Sequence, residues 1–486
     1  MSDQLISLDD VKRVLDSADM ALHECFDMLI GFCHAQNNIE KTLLRFQPML
    51  AETLLELMEF YNSLSQEKNT LISQKDDYPQ DVFSQMMARN ARFAKAVSMT
   101  IEIGKSMGDA FAWFFYRDNR EDLDKHFKHE PVGLYVSGIG GRGELEFIKN
   151  SLSLDGFYVL YHGITTMLRI GDFSLYDFNR GIVGLGELKT RRIGDKLNVS
   201  AFITAKKDIQ VRNQPQPKSS SLKEELKCLE KEFPRIEKQI KRQIEFLKQI
   251  SEDQSATFQT AYEYNMLDSL TPQNRFALSS DRSLMLFGTW SKYTTLYEVL
   301  TQEEEFPGLP EGTFADDVRS MIVPELQYNQ IHFGELTTKT TLIGIPILWW
   351  NINDKICEDI YFKRVLITTV FNPARFLDCF IKDGFSVVKI GDLDEIELEK
   401  KIDEKIISFG NFQSFCFMIT NSLMKTQSVY ESIKYIINKT EIEKLSQCTR
   451  IDLHIHLNNF NTGLKRKNRY DRKETSDGQT EDAHAE

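Results

Sequence analysis

The stretch GDFSLYDFNRGIVGLGELKT, Gly171 to Thr190, says more about fold and chemistry than any other part of the chain. It reads as a β-hairpin, with one strand over Asp172–Phe178, a turn at Asn179-Arg180-Gly181 and a second strand over Ile182–Thr190. Strand side chains alternate, so Glu187 and Lys189 share a face. With Asn179-Arg180 as a two-residue loop, Phe178 pairs with Gly181, and Asp172 stands opposite Glu187 at roughly 5 Å. A bulge at Gly181 would shift that register by one residue. Two carboxylates this close repel unless a cation lies between them. Hard oxygen ligands with open positions suit Mg2+ or Mn2+, with the Leu188 carbonyl as a third ligand. Lys189 beside them is placed to orient an attacking water or to stabilise charge on a phosphate. These are the parts for metal-assisted phosphodiester hydrolysis.

Upstream, the first ~130 residues read as helix. Ser7 with Asp10 makes a capping-box start, and Leu8, Val11, Leu15, Ala18 and Leu22 recur at helical spacing. Met49, Leu50, Leu54, Leu57, Met58 and Tyr61 continue the pattern, and a third helix is expected over Asp81–Tyr116. Helices this long need a cover for their apolar stripe. They are expected to pack on the rest of the chain, on a partner protein, or on a second copy as a symmetric dimer.

Downstream, LNVSAFITA reads as a further strand and QPQPKSSS, Gln214–Ser221, as a loop. A charged helix over 219–252 follows, with Leu222, Leu226, Leu229, Phe233, Ile236 and Ile240 at coiled-coil spacing, too short for an extended coiled coil. SLMLFGTW, Ser283–Trp290, reads as a buried strand, as do VLITTVF, FSVVKI and FCFMIT in a C-terminal α/β domain over 291–460. The segment 461–486 is polar enough to be a disordered tail.

The segments GRGELEFI, GFYVLYHG, IGDFSLYDF and GIVGLGELKTRR together resemble the core of the PD-(D/E)XK nuclease superfamily over about residues 133–290. That core is a helix, three strands, then a helix and a further strand. The resemblance implies a restriction-endonuclease-like α/β core with a mixed sheet, bounded here by 131–290. It implies a Mg2+- or Mn2+-dependent endonuclease acting on nucleic acid, DNA ahead of RNA, and a role in defence against foreign DNA. Asp172 and Glu187 match its metal ligands, Lys189 its catalytic lysine, and Glu144 the first-helix glutamate that assists the metal, with Glu146 as the alternative. Arg191 and Arg192 after the motif, and Gln239 and Gln243 on the later helix, are candidate nucleic-acid contacts. The superfamily also holds members that have lost activity, so the alternative is an inactive nuclease fold that binds a partner through its N-terminal helices.

Other motifs weigh less. Glu399-x-Lys401 repeats the tripeptide, but IELEKKIDEK reads as an amphipathic helix with a solvated face. Gly138-x-Gly140-x-x-Gly143 fits a dinucleotide fingerprint, yet the hairpin that follows is no βαβ unit, so these glycines are read as a tight turn into the helix bearing Glu144. Asp452, His454 and His456 would share a strand face, with too little chain after them for a metallohydrolase barrel. Cys25 and Cys33 near His23 and His34 fit no zinc spacing and are read as core.

Composition sets the frame. The 486 residues are 41% hydrophobic and 27% charged, enough for several domains with real cores. No run approaches the ~18 apolar residues of a spanning helix, and the acidic start MSDQLISLDD lacks the form of a signal peptide. Seven cysteines without a C-x-x-C pair suggest a reduced, cytoplasmic chain. The net charge is −13, which excludes a uniformly basic surface. Residues 187–250 carry 16 Lys and Arg against 9 Asp and Glu, a local +7 suited to phosphates.

Overall fold

The computed structural model describes residues 5–34, 39–117, 120–129, 138–193, 196–206, 234, 237–238, 240–241, 261–302, 313–339, 345–389, 396–402, 405–410, 412–439 and 448–452. Three long helices open the chain: α1 (Leu8–Cys33), α2 (Ile39–Ser73) and α3 (Gln80–Tyr116). The Ser7 side chain accepts the Asp10 N–H at 3.1 Å, and the Asp10 carboxylate accepts the Ser7 N–H at 3.2 Å, so the capping box is present in both directions. α1 buries Val11, Leu15, Leu22, Leu29 and Phe32 along one stripe. The last 14 of the 37 residues of α3 are different, with every residue from Ile103 to Tyr116 buried. A helix buried on all sides lies inside a core. Phe111, Phe114 and Phe115 meet Phe32 and Phe46 from the other two helices and Trp349 and Tyr158 from beyond them. One hydrophobic core runs from Val11 to Ile437. The rest of the chain thus covers the helical region from within.

After α4 (Arg120–Phe127), α5 (Ile139–Asn150) leads into a five-stranded sheet in sequence order: β1 (Ser153–Leu154), β2 (Phe157–Tyr161), β3 (Phe173–Asp177), β4 (Gly181–Ile193) and β5 (Lys196–Ala205). Every pairing in it is antiparallel, which corrects the expected mixed sheet. Only residues 194 and 195 separate β4 from β5, so β5 folds back as a hairpin and takes the edge of β4 that a returning parallel strand would need.

The β3–β4 turn also differs from the expected two-residue loop. Asp177 pairs with Gly181, leaving a three-residue loop, Phe178–Arg180. The Asp177 carboxylate accepts the N–H groups of Asn179 at 2.6 Å and Arg180 at 3.2 Å, and Gly181 sits at φ +80°, where glycine carries little strain. An irregularity between Leu175 and Tyr176 then restores the original register, with Phe173 opposite Gly186.

A second sheet joins β6 (Phe276–Leu278), β7 (Leu284–Trp290), β9 (Val365–Phe371) and β8 (His332–Glu335). β7, expected in the nuclease-like core, pairs with β9 instead, so residues 276–290 sit with the C-terminal part. A third sheet contains β10 (Ser386–Lys389), β11 (Glu397–Ile402), β12 (Lys405–Gly410) and β13 (Cys448–Asp452), with β12 and β13 parallel. Glu399 and Lys401 therefore lie on a strand, which corrects the helical reading of that run. Alternation wins there, with Ile396 and Leu398 buried and the Glu399 carboxylate accepting the Ser408 hydroxyl. FCFMIT, expected as a strand, lies in the helix Gln413–Ser422, because a short apolar run suits either state until its neighbours decide. No described helix is long and apolar enough to cross a membrane.

Candidate active site

The proposed site residues lie on α5, at the start of β3 and in the middle of β4. The β3–β4 ladder ends at Phe173–Gly186, and Asp172 lies one residue beyond it, bonded to Gly186 and not laddered with Glu187. The Asp172 N–H donates to the Gly186 carbonyl at 2.8 Å. Its carboxylate accepts the N–H of Leu188 at 2.5 Å. Asp172 is thus tied to the backbone between Glu187 and Lys189. A strand residue's C=O lies on the same edge as its N–H, so the Leu188 carbonyl faces the end of β3 as well. Glu187 and Lys189 share a face, as alternation requires, with the ammonium 3.2 Å from the carboxylate and both side chains 61% exposed.

Close packing of α5 on the Leu188–Thr190 face of β4, opposite the face of Glu187 and Lys189, brings Glu144 near Asp172. A Cβ at Gly143 would lie 2.2 Å from Thr190 Oγ1, so only glycine lets the helix approach so near. Gly138, at φ +92°, turns the chain into α5, and Phe147 meets Phe173 at 5.4 Å. The Gly138–Gly143 glycines therefore serve a turn and a helix–sheet contact. Glu144, half-buried, accepts the Tyr161 hydroxyl. Burial raises its carboxyl pKa, the Tyr161 bond opposes that, and the Asp172 charge adds to it. Glu146 is exposed and is engaged by the Asn150 side chain at 3.2 Å. Of the two alternatives, Glu144 is the one near Asp172.

Behind β3 lies a buried polar chain with no local sequence signature. His126 Nδ1 accepts the N–H groups of Arg169 at 2.9 Å and Ile170 at 3.1 Å. The proton of neutral His126 is therefore on Nε2, which donates to the Tyr116 hydroxyl at 3.1 Å. Tyr116 then donates to Ser174 Oγ at 2.5 Å, and Ser174 to His162 Nε2 at 2.6 Å. His162 Nδ1–H ends the chain on the Gly171 carbonyl at 3.1 Å, and the His162 N–H donates to the Asp172 carbonyl at 2.9 Å. Each polar atom meets a partner of the right polarity in only one arrangement, which holds the backbone on both sides of Asp172. Burial pushes His126 down to about 4 and His162 down to about 3, so both are neutral near pH 7. On α3, buried Asp109 accepts the N–H groups of Thr166 at 2.7 Å and Met167 at 3.0 Å, and burial raises its pKa to about 6. Gln47 from α2 accepts the Tyr161 N–H at 2.8 Å and donates to Val159 O at 2.9 Å, pinning β2.

Arg191 and Arg192 are exposed at the far end of β4. Gln239, Gln243, His454 and His456 lie outside the described residues, as do most of 219–252 and all of 461–486. Cys25 and Cys33 are buried core residues, while His23 stacks on Phe362 and His34 pairs with Asp354 at 2.9 Å. Among the described residues, no three His, Cys, Asp or Glu side chains converge to hold a metal ion. The groups here that could hold an ion are the Asp172 and Glu187 carboxylates and the Leu188 carbonyl. That fits an oxygen-loving ion that keeps several waters. A cavity of about 600 Å³ lies elsewhere, lined by Glu263, Asp268, Asn351 and Lys425 among others. No protein-family model, curated protein or solved structure matches the chain.

Proposed function

We propose that the chain is a Mg2+- or Mn2+-dependent nuclease that hydrolyses phosphodiester bonds of nucleic acid at the β3–β4 edge. The supporting observation is the Asp172 carboxylate seated on the Leu188 N–H, between Glu187 and Lys189. Asp172, Glu187 and the Leu188 carbonyl would hold the ion, which when bound supplies an acidified water and neutralises phosphate charge. Lys189 would orient the attacking water by hydrogen bonding and stabilise the charge that builds on the phosphate. Glu144 adds an acceptor from the helix side, with the Tyr161 hydroxyl keeping part of its ionised form. Arg191 and Arg192 extend positive charge along β4, and such contacts weaken as salt rises. The test is cleavage of labelled DNA and RNA with Mg2+, with Mn2+ and with chelator: cleavage only with metal is expected.

A second reading rests on the lack of a three-sided acidic cluster among the described residues. On that reading the fold binds nucleic acid or a partner protein without cutting. Binding with no cleavage in either metal would favour it.

A further inference from the structure

We propose that Phe202 is a stacking platform for an unpaired nucleobase, and that the strand presented to the Asp172–Glu187 edge is single-stranded. The inference rests on the nuclease reading for its chemistry, but its geometry stands apart. In the β4–β5 ladder Glu187 pairs directly with Phe202, Lys189 with Ser200 and Arg191 with Asn198. Directly paired residues project from the same face with Cβ atoms roughly 5 Å apart, and diagonal neighbours are roughly 7–8 Å apart. Phe202 therefore stands beside Glu187 and one diagonal step from Lys189. Phe202 is 60% exposed, while its neighbours Ala201 and Ile203, on the opposite face, are half-buried.

The surroundings select the occupant. Glu187, Lys189, Ser200 and Thr204 on the same face are all exposed, so Phe202 is a lone aromatic in a polar and partly basic setting. A protein partner or a second copy needs a contiguous apolar patch, and no other large hydrophobic side chain is exposed on β4 or β5 among the described residues. A nucleobase needs one flat ring beside cationic groups that meet its phosphate. Lys189 supplies a cation at the site, and Arg191, on the same face, continues the positive charge along β4. Alternating aromatic and basic groups on an open sheet are how single strands are held without sequence reading. A duplex keeps its bases stacked on one another, and extracting one costs free energy that a single strand does not spend.

The test is fluorescence anisotropy with the full chain in chelator, so that cleavage plays no part. The probes are a labelled 12-nucleotide oligothymidylate and a labelled duplex of equal length. The wild type should bind the single strand more tightly. Phe202→Ala should weaken single-strand binding about 5- to 150-fold, the range of one base–aromatic stack. Phe202→Trp should retain it, and neither change should alter duplex binding. Equal single-strand affinity of wild type and Phe202→Ala, with melting showing both folded, overturns the proposal, as does a preference for duplex. Phe202-dependent binding without any cleavage in Mg2+ or Mn2+ would uphold the platform while the nuclease reading failed.

Discussion

The Asp172 carboxylate accepts the Leu188 backbone N–H at 2.5 Å, across the gap left where β3 ends and β4 runs on. One side chain thereby fills a missing rung of the sheet and holds an anion next to Glu187. The two roles respond differently to substitution. In Asp172→Asn the amide oxygen still accepts the N–H but the charge is gone. In Asp172→Ala the Leu188 N–H is left without its partner, at a cost of about 1–3 kcal/mol. Both variants should lose cleavage, and only the alanine should lower the melting temperature appreciably. Equal melting of the two would show that this bond contributes nothing to the fold.

Tyr161 should tune Glu144. Its hydroxyl opposes the upward pKa shift that burial and Asp172 impose on that carboxyl. Tyr161→Phe removes the donor, so Glu144 ionises only at higher pH. If ionised Glu144 assists the reaction, the acid limb of the cleavage–pH profile moves upward in Tyr161→Phe. A profile identical to wild type would remove Glu144 from the chemistry.

The contact of α5 with β4 predicts a steric cost. Gly143→Ala puts a Cβ 2.2 Å from Thr190 Oγ1 and 2.3 Å from its Cγ2. Such overpacking costs about 1–3 kcal/mol. Thr190→Ala removes both atoms, so the double variant should recover part of the loss. Additive effects in the double-mutant cycle would mean that the two residues do not meet.

The buried histidines give a pH signature. His126, at about 4, and His162, at about 3, take up protons in the unfolded chain at higher pH than in the folded one. Their contribution is fully present above about pH 6.5 and is lost as pH falls through 4 and 3. Asp109, at about 6, acts in the opposite sense, since between about pH 4 and 6 the folded chain holds its extra proton. Glu144 and Glu263, also raised by burial, act with Asp109, so the histidine contribution is read as a difference in pH dependence between wild type and His162→Gln. In urea melts from pH 6 to 4 the wild type should lose more stability on acidification than His162→Gln, and equal pH dependence of the two would contradict the buried neutral chain.

Local patterns carried much of this structure. The Ser7–Asp10 box, the apolar stripe of α1 and the alternation that puts Glu187 beside Lys189 depend on residues a few positions apart. What escaped was set by distant partners. β7 is an apolar run that β9 claims, 75 or more residues on, and FCFMIT became a helix under the sheets beside it. At the turn after β3 the Asp177 carboxylate, not the backbone alone, sets a three-residue loop, and the tip carries the one-residue shift that a Gly181 bulge brings. At the site, Asp172, Glu187 and Lys189 were legible as a hairpin, and their order resembles the nuclease motif. The chain from His126 through Tyr116 and Ser174 to His162 was not, because it draws on α3, α4, β3 and the loop after β2, with no spacing to mark it. Phe202 became notable only once β5 was seen lying against Glu187.

Metal-dependent cleavage at the β3–β4 edge is tested by comparing wild type, Glu187→Gln and Lys189→Ala on labelled single-stranded and duplex DNA and on RNA with Mg2+ or Mn2+. Glu187 and Lys189 are 61% exposed, so both variants should melt within about 0.5 kcal/mol of wild type. The wild type should cleave only with the metal, and neither variant should cleave. Equal cleavage by all three proteins, cleavage that persists in chelator, or no cleavage by the wild type with either metal would contradict it.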